Sequence, residues 1–587
     1  MPVLIVESPN KIKSLKKYLP ENFDVVASVG HINTIANKGK YNLGIDIDRK
    51  YKIQYSLMPE KSSVVQRIMD AVEHTDVVYI ASDPDREGEA IAQAIYDRIK
   101  DFDKPIHRVR FQEITKKAVN EAISHPTTIN TNLVHAQEAR AALDKIVGFL
   151  ASQYLFVTVG EKNLSAGRVQ SVVLRLIVER EKEISEFKPE TYFTIDVTLD
   201  KNQKFIAKYE EKLNDKKKAE TIKEFLQNKE TSYTVASVEA KQAKVHPAPP
   251  FETSSLQQHM AKKFKFPADK TASCCQSLFE GGHITYHRTD SPAISDDALQ
   301  NLLQWIDTNK LKRPSKAYVY KSKSETAQEA HECIRPTDIF VESAGSTPDE
   351  QLVYKTIRQY FIACQLSPAI FDTLKVKIEA KNGKQKQKLS SSGKALKEKG
   401  FLEFLKIEDK NEINIPSLSK NDTVSFVSVL LEEKKTKAPS RFSEANLLDT
   451  MKKLEIGRPS TTPNIIKKLQ ERQYSDKNNE IHAPTERGNR IFGFLKDFGF
   501  IDYKFTANIE KRLDDIAEGK DTYLAVVDSF FKEFKSQLDS MYAKSNISHC
   551  KCGGMFVKRA SKTGSFFGCT NYPYCKETKQ NQQESRL

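Results

Sequence analysis

The sequence predicts a multidomain protein of mixed class: an α/β unit, then separate α and β regions, and last a small cysteine-rich module. Three observations carry the prediction. Short β-branched runs alternate with helical patterns over about the first 130 residues, as a parallel sheet with crossover helices requires. Beyond them, stretches of helical apolar periodicity flank a strand-rich region that is itself interrupted by a helical insertion. Cys550, Cys552, Cys569 and Cys575 crowd the C-terminal end, whereas the other four cysteines are scattered.

Taken in order, "VLIV" (3–6), "FDVVASVG", "VVYIA" (77–81) and "HRVRFQ" are the strands of an α/β domain over 1–132. "LVHAQEARAALDKIVGFL" and "SVVLRLIVEREKEI" carry apolar faces at helical spacing and make 133–188 helical. "YFTIDVTL" opens a β region over 189–250, which "FDTLKVKIEA" and "DTVSFVSVLLEE" resume over 369–435. Between them, 251–368 reads as a helical insertion, and "KNGKQKQKLSSSGKALKEKG" (381–400) reads as a mobile Lys/Ser/Gly loop. "SEANLLDTMKKL" and "PNIIKKLQERQY" return to helix over 436–545, and the cysteine module occupies 546–580. No internal repeat is visible. A chain that leaves and re-enters its β region in this way folds back on itself, a topology that could close a ring.

At 587 residues the chain can bury several cores. Its net charge of +14 and pI near 9.0 favour a polyanionic partner, because clustered Lys and Arg release counterions from phosphates. A solvated lysine-rich surface is the plain alternative. No apolar run approaches the ~20 residues of a membrane span. "MPVLIVESPNKIK" is not a signal peptide, since an acidic residue follows a very short apolar stretch. These features predict a cytoplasmic protein with no membrane partner, in which Cys274, Cys275, Cys333 and Cys364 are reduced thiols.

Three groups of residues carry chemistry. In "ASDPDREGEA" (81–90), Asp83, Asp85, Glu87 and Glu89 follow "VVYIA", at the edge where an open parallel sheet binds ligands, and Glu7 follows "VLIV" in the same manner. Carboxylates this close repel unless a hard divalent cation or protonation relieves them, and Mg²⁺ is the natural occupant. A helix N-terminus accounts for Glu87 and Glu89 but not for two further aspartates and a strand-end glutamate. In "GGHITYHRTDS" (281–291), Tyr286 stands after a glycine pair and two positions before Arg288. A free phenol titrates at about 10, so a nucleophilic tyrosine needs a cation. Arg288 can stabilise both a phenolate and a phosphoryl transition state; a half-buried structural tyrosine is the alternative.

The third group is "CKCGGMFVKRASKTGSFFGCTNYPYC" (550–575), where cysteine pairs flank a hairpin, "MFVKR" and "SFFGC", as in a tetrahedral Cys₄ Zn²⁺ ribbon. Its C-x-C is one residue tighter than the common knuckle, which leaves His549 as a substitute ligand. Phe566, Phe567, Tyr572 and Tyr574 either stack on single-stranded bases or form the module's small core. There is no G-x-x-x-x-G-K-[ST] phosphate loop, hence no sign of an ATP motor, and no H-E-x-x-H pair of a zinc protease.

"LIVESPNKIKSL", "SDPDREGEAIA", "RVRFQEIT", "LSAGRVQSV", "ITYHRTDS", "AHECIRPT", "IGRPST", "APTERG" and "FTANIEKRLDDIAEG" follow one another along nearly the whole chain. In that order they resemble a type IA DNA topoisomerase, and "VESP" is nearer bacterial topoisomerase I than topoisomerase III. The resemblance implies a Toprim α/β domain, a toroidal core with the tyrosine domain at 251–368 and the β regions as hinge, and a C-terminal zinc ribbon. It implies ATP-independent, Mg²⁺-dependent relaxation of negatively supercoiled DNA by a monomer that acts on single-stranded regions. Tyr286 would form a 5′-phosphotyrosyl link and release a 3′-hydroxyl, with Arg288 and His331 supporting the scissile phosphate. Lys11 would contact the phosphate near the leaving oxygen, and Glu7 would assist proton transfer there. Asp83, Asp85 and Glu87, with Glu7, would hold Mg²⁺, needed mainly for resealing. Arg140 and Asp144 of "EARAALD", with Ser165, Gly167, Arg168, Gln170, Ser171 and Asp290, would bind the DNA strand.

The family pattern is broken in places. "SVGHINTIAN" lacks the usual Asp-Leu-Pro, Ala141 and Lys145 stand where arginines are common, and Thr462 and Pro463 replace a Tyr-Ala. A single ribbon, where many relatives carry several, bears on capture of the passing strand. The alternatives are a topoisomerase III-like decatenase, a Toprim nuclease or primase in which Tyr286 is irrelevant, and a non-catalytic DNA-binding protein.

Overall fold

In the computed structural model, residues 1–161, 163–321, 332–409, 412–458, 461–478, 481–544, 548, 550–552, 554–561 and 564–579 are described. The strand Val3–Val6 is wholly apolar and wholly buried, and it runs parallel to Asp24–Ala27 on one side and Val78–Ala81 on the other. Ile106–Arg108 extends this parallel sheet past Val78–Ala81. Burial on both faces explains the continuous apolar runs. Val3 and Ile5 face the helices Ser62–Glu73 and Arg86–Ile99, packing with Val65, Ile68, Ile91 and Ile95. Leu4 and Val6, pointing the other way, share a cluster with Phe279, Ile284 and Tyr286. One side of the first strand therefore holds its own domain together, while the other holds the tyrosine against it.

The helix Thr131–Val159 packs with Arg168–Glu186, Tyr503–Ala517 and Tyr523–Lys544 around one large core. Helical segments from both halves of the chain thus make a single body, and Tyr41, Leu43, Ile45 and Tyr51 of the N-terminal domain enter the same core. Thr131–Val159 is long and apolar enough to cross a membrane by length and composition, which corrects the expectation that no segment comes near this. Its apolar positions are instead covered by neighbouring helices, with Ala136, Ala139, Leu143, Ile146 and Val147 fully buried.

Six antiparallel strands, Thr191–Asp200, Lys204–Tyr209, Ser232–Val245, Ala369–Asn382, Gln385–Glu398 and Thr423–Lys435, close into a barrel. Ser232–Val245 pairs directly with Ala369–Asn382, from Ser232 opposite Lys381 to Val245 opposite Ala369. The insertion between them, with helices Thr253–Phe264, Ala268–Glu280, Asp296–Thr308 and Pro348–Ala363, therefore leaves and re-enters the barrel at adjacent strand ends.

The segment expected to be a mobile loop, 381–400, is mostly strand. Gln385–Glu398 pairs with Ala369–Asn382 from Asn382 opposite Gln385 to Ile370 opposite Glu398. Leu389, Ser391 and Gly393 face inward and are buried, while Lys388, Ser390 and Ser392, which alternate with them, point out. The alternation is real, but serine and glycine occupy inward positions where apolar residues usually announce a strand. The ladder comes from the partner strands, not from local propensity.

Candidate active site

Glu7 follows the first strand of the parallel sheet, and the Asp83 N–H donates to its Oε2 at 3.3 Å. Asp83 follows the strand Val78–Ala81; one of its oxygens is paired with the buried Lys11, and the other, also buried, has no hydrogen-bond partner among the described residues. Asp85 caps the helix Arg86–Ile99, accepting from Gly88 N–H at 2.8 Å. Across the domain boundary, the Tyr286 hydroxyl donates to Asp85 Oδ2 at 2.5 Å and Arg288 donates to the same oxygen at 3.2 Å. Glu87 takes His31 at 2.9 Å and Gln137 at 3.3 Å. The Tyr286 N–H donates to the Gln112 carbonyl and Asn10 to Glu280, so the tyrosine segment is tied to the acidic domain by backbone as well as by side chain.

The electrostatics follow from this packing. Burial, then the neighbouring Asp83, pushes Glu7 up to about 7 against the pull of Lys11. Burial would raise Asp85 too, but Arg288 beside it and the Tyr286 hydroxyl more than offset this and hold it below the usual carboxylate range. The phenol of Tyr286 lies well above its ordinary value, through burial and then through Asp85 and Asp83, with Arg288 opposing them. Arg288 is thus present where expected, yet in this arrangement Tyr286 is a neutral donor whose hydroxyl Asp85 holds. Burial, then Arg288, brings His287 down to about 3, so the imidazole beside Tyr286 is neutral.

Glu89 departs from the expected carboxylate cluster. It is fully buried against Arg108, and it also accepts from Asn130 N–H at 2.6 Å. Arg108 in turn donates to the carbonyls of Ile80, Ser82, Asp83 and Val109. Glu89 therefore anchors an arginine that shapes the acidic loop from beneath. The remaining carboxylates suit a hard cation: all offer oxygen, one Asp83 oxygen is buried with no hydrogen-bond partner among the described residues, and Glu7 is raised by burial and then by the neighbouring Asp83.

The predicted DNA-contacting residues gather along the helical body. Arg140 donates to Thr461 at 3.1 Å, and its Nε has no hydrogen-bond partner among the described residues. Asp144 and Glu510 bracket the buried Arg168 at 2.9 and 2.6 Å. Gly167 precedes the helix Arg168–Glu186 and donates to Ser171, Ser165 exchanges backbone bonds with the Tyr474 hydroxyl, and the Gln170 amide nitrogen is buried without a partner. Asp290 lies half-buried beside the tyrosine strand. His331 and His549 lie outside the described residues.

The sequence reading missed a set of partners that only the fold assembles. Arg86 and Arg458 share Asp514, and Arg458 also reaches Glu510 at 3.4 Å. Glu510 and Asp514 are four apart in "FTANIEKRLDD", hence on one helical face, which was the available signal. His31 in "SVGHINTIAN" was likewise visible, although its partner Glu87 was not.

In the C-terminal module, strands Phe556–Ser561 and Gly564–Cys569 form the expected hairpin. The sulfurs of Cys550, Cys552, Cys569 and Cys575 all lie within 4.8 Å of one another, so the tight C-x-C spacing does not prevent convergence. Cys552 and Cys569 are 3.4 Å apart and Cys550 and Cys575 3.6 Å, near the edge of a tetrahedron built on bonds of about 2.3 Å. Asn571 donates to Cys552 and Cys569. Phe567 packs on the small core formed with Phe556, while Tyr572 and Tyr574 are exposed.

Residues 2–114 match the Toprim domain family, residues 128–528 the family described as DNA topoisomerase, and residues 549–584 the topoisomerase DNA-binding C4 zinc finger. The chain is 36% identical to DNA topoisomerase 1 of Helicobacter pylori, across 99% of this chain and 82% of that protein. It superposes on full-length topoisomerase I from Thermotoga maritima with a TM-score of 0.80 at 30% identity, covering 99% of this chain and 97% of the other. A Toprim domain takes Mg²⁺ and a C4 finger takes Zn²⁺, so both are cofactors here, and DNA is the substrate. Matched along its length in family, sequence and fold, with a tyrosine held against an acidic sheet edge, the chain belongs to the type IA DNA topoisomerases and is of the topoisomerase I kind.

Proposed function

We propose that this topoisomerase relaxes negatively supercoiled DNA as a cytoplasmic monomer, entering at single-stranded regions, with Tyr286 as nucleophile. The observation that carries the assignment is the junction of Tyr286, Arg288 and Asp85, with Glu7 and Lys11 beside Asp83. A phosphodiester seated here meets Arg288 and Lys11, two cations each held by a carboxylate of the acidic loop. The Tyr286 oxygen forms a bond to phosphorus as the bond to the 3′ oxygen breaks, and the link keeps the energy of the diester, so resealing needs no ATP. Glu7, titrating near neutrality, is matched to pass a proton to the leaving 3′ oxygen and to take it back. Glu7, Asp83, Asp85 and Glu87 are the residues we assign to Mg²⁺, which when bound supplies the positive charge that aligns the cut ends. Arg140, Asp144, Ser165, Gly167, Arg168, Gln170, Ser171 and Asp290 are assigned to the strand around the break. A single chain supplies every one of these groups, which supports action as a monomer.

The test is a single-stranded oligonucleotide labelled in parallel at either end and quenched with denaturant. Wild type should retain the 3′-labelled fragment as a protein adduct, whereas Tyr286→Phe should bind the oligonucleotide and form none. Cleavage that persists in Tyr286→Phe rules this reading out.

A further inference from the structure

We propose that the outer face of the β barrel is a second binding surface for the phosphodiester backbone of nucleic acid, built from none of the residues around Tyr286. Its core is the pairing of Ala369–Asn382 with Gln385–Glu398. Val376, Ile378, Ala380 and Leu389 point into the barrel, so Lys375, Lys377 and Lys388, which alternate with them, point out and are exposed. Successive outward positions repeat at about 6.7 Å along a strand, and neighbouring strands stand about 4.8 Å apart. Lys375 lies opposite Ser392, and Lys377 opposite Ser390, which on its other side faces Lys208. The result is an array of ammonium groups spaced by hydroxyls on the barrel's outer face.

Two of the carboxylates on this face are already taken, and a third, Asp196, stands opposite Lys208. Glu379 pairs with Lys386, and Glu239, opposite Lys375, pairs with Lys241. Lys208, Lys375, Lys377 and Lys388 have no hydrogen-bond or ion-pair partner among the described residues. Lys381 lies directly opposite Lys386, an arrangement that costs stability. Lysines of this kind often protect a sheet edge from pairing with another chain. That explanation fails here, because the barrel is closed and Ala369–Asn382 is flanked on both sides. Lysines in excess of the carboxylates around them, with interleaved hydroxyls, match phosphate oxygens. The outward positions named on this face are lysine, serine and glutamate, without a ring for bases to stack on, so the contact is to backbone and is independent of sequence.

The test uses the full-length protein with Lys375→Gln, Lys377→Gln and Lys388→Gln combined. Binding of long single-stranded and duplex DNA is followed by anisotropy across a salt series. A control with the same charge change carries Lys217→Gln, Lys223→Gln and Lys229→Gln, at and just beyond the barrel's helix Lys216–Gln227. Loss of three phosphate contacts should flatten the plot of log affinity against log salt by about 2 on a single strand or about 3 on duplex. Adduct formation at Tyr286 on a short oligonucleotide should be unchanged, which also reports that the variant is folded. A change on the single strand alone identifies a captured strand, on duplex alone a flanking arm, and on both a general backbone surface. An unchanged slope on both, or an equal change in the control, overturns the proposal.

Discussion

The oxygen of Tyr286 faces a carboxylate, so the residue we propose as nucleophile is held here as a neutral donor. Two buried histidines are neutral for a related reason: the interior does not solvate their charge. His287 and His482 are both buried, and the ring nitrogens of His482 have no hydrogen-bond partner among the described residues. Burial brings His482 down to about 4 and His287 to about 3. An unfolded histidine takes its proton at about 6.5, so between that pH and about 4 the unfolded chain binds protons that the folded chain refuses. The stability these two residues contribute is complete above pH 6.5 and is lost as the pH falls below it, at up to ~1.4 kcal/mol per pH unit for each. Thermal melts from pH 7 to 5 should show a falling midpoint, and His482→Gln should make that fall shallower by one proton's worth. An unaltered slope in the variant would show that His482 is already charged in the fold.

Among the elements, the helix Arg86–Ile99 does most to shape the site, because its first turn packs directly under the acidic loop. A Cβ on Gly88 would lie 2.1 Å from the Asp83 carbonyl oxygen, a backbone clash that only a shift of the loop can relieve. Gly88→Ala should therefore slow resealing of the Tyr286 link on the order of 10²-fold, the usual cost of a displacement near 1 Å, while leaving oligonucleotide affinity nearly intact. Single-turnover religation set beside equilibrium binding checks this, and equal losses in both would point to a general folding defect. Such close approaches cannot be read from composition, although the segment itself can. The four parallel strands, the long helices and the ribbon hairpin were legible because apolar spacing or cysteine pairing announces each of them. The strand Gln385–Glu398 was not, since its inward positions include serine and glycine. In the site, Tyr286, Arg288 and the carboxylates were legible from local motifs. The Arg108–Glu89 anchor and the Arg86–Asp514–Arg458 bridge were not, because each joins segments that only the fold brings together.

For the whole molecule the question is which interface parts when a strand passes. The N-terminal domain and the helical body share one apolar core through Tyr41, Leu43, Ile45 and Tyr51, reinforced by the buried Arg86–Asp514 pair and by Lys145 on Asn37 at 2.6 Å. The N-terminal domain and the tyrosine domain also share an apolar cluster, but their polar ties converge on the reacting groups: Tyr286 and Arg288 on Asp85, Asn10 on Glu280, and Arg335 on Glu113 at 2.9 Å. With Tyr286 as the proposed nucleophile, cleavage acts on that second interface. Once the phenol oxygen is bonded to phosphorus, it no longer donates to Asp85, and a phosphodiester charge faces a carboxylate held ionised by Arg288. The chemical step thus loosens the boundary that must open, without any energy source beyond the diester itself. Fluorophores on Lys117→Cys and Asp297→Cys, an exposed pair across the tyrosine-domain boundary, should separate transiently when supercoiled DNA is added and should stay together in Tyr286→Phe. Fluorophores on Asn37→Cys and Lys145→Cys, across the other boundary, should hold one distance throughout. Motion in the second pair, or opening of the first in Tyr286→Phe, would mean that the gate lies elsewhere or that cleavage does not release it.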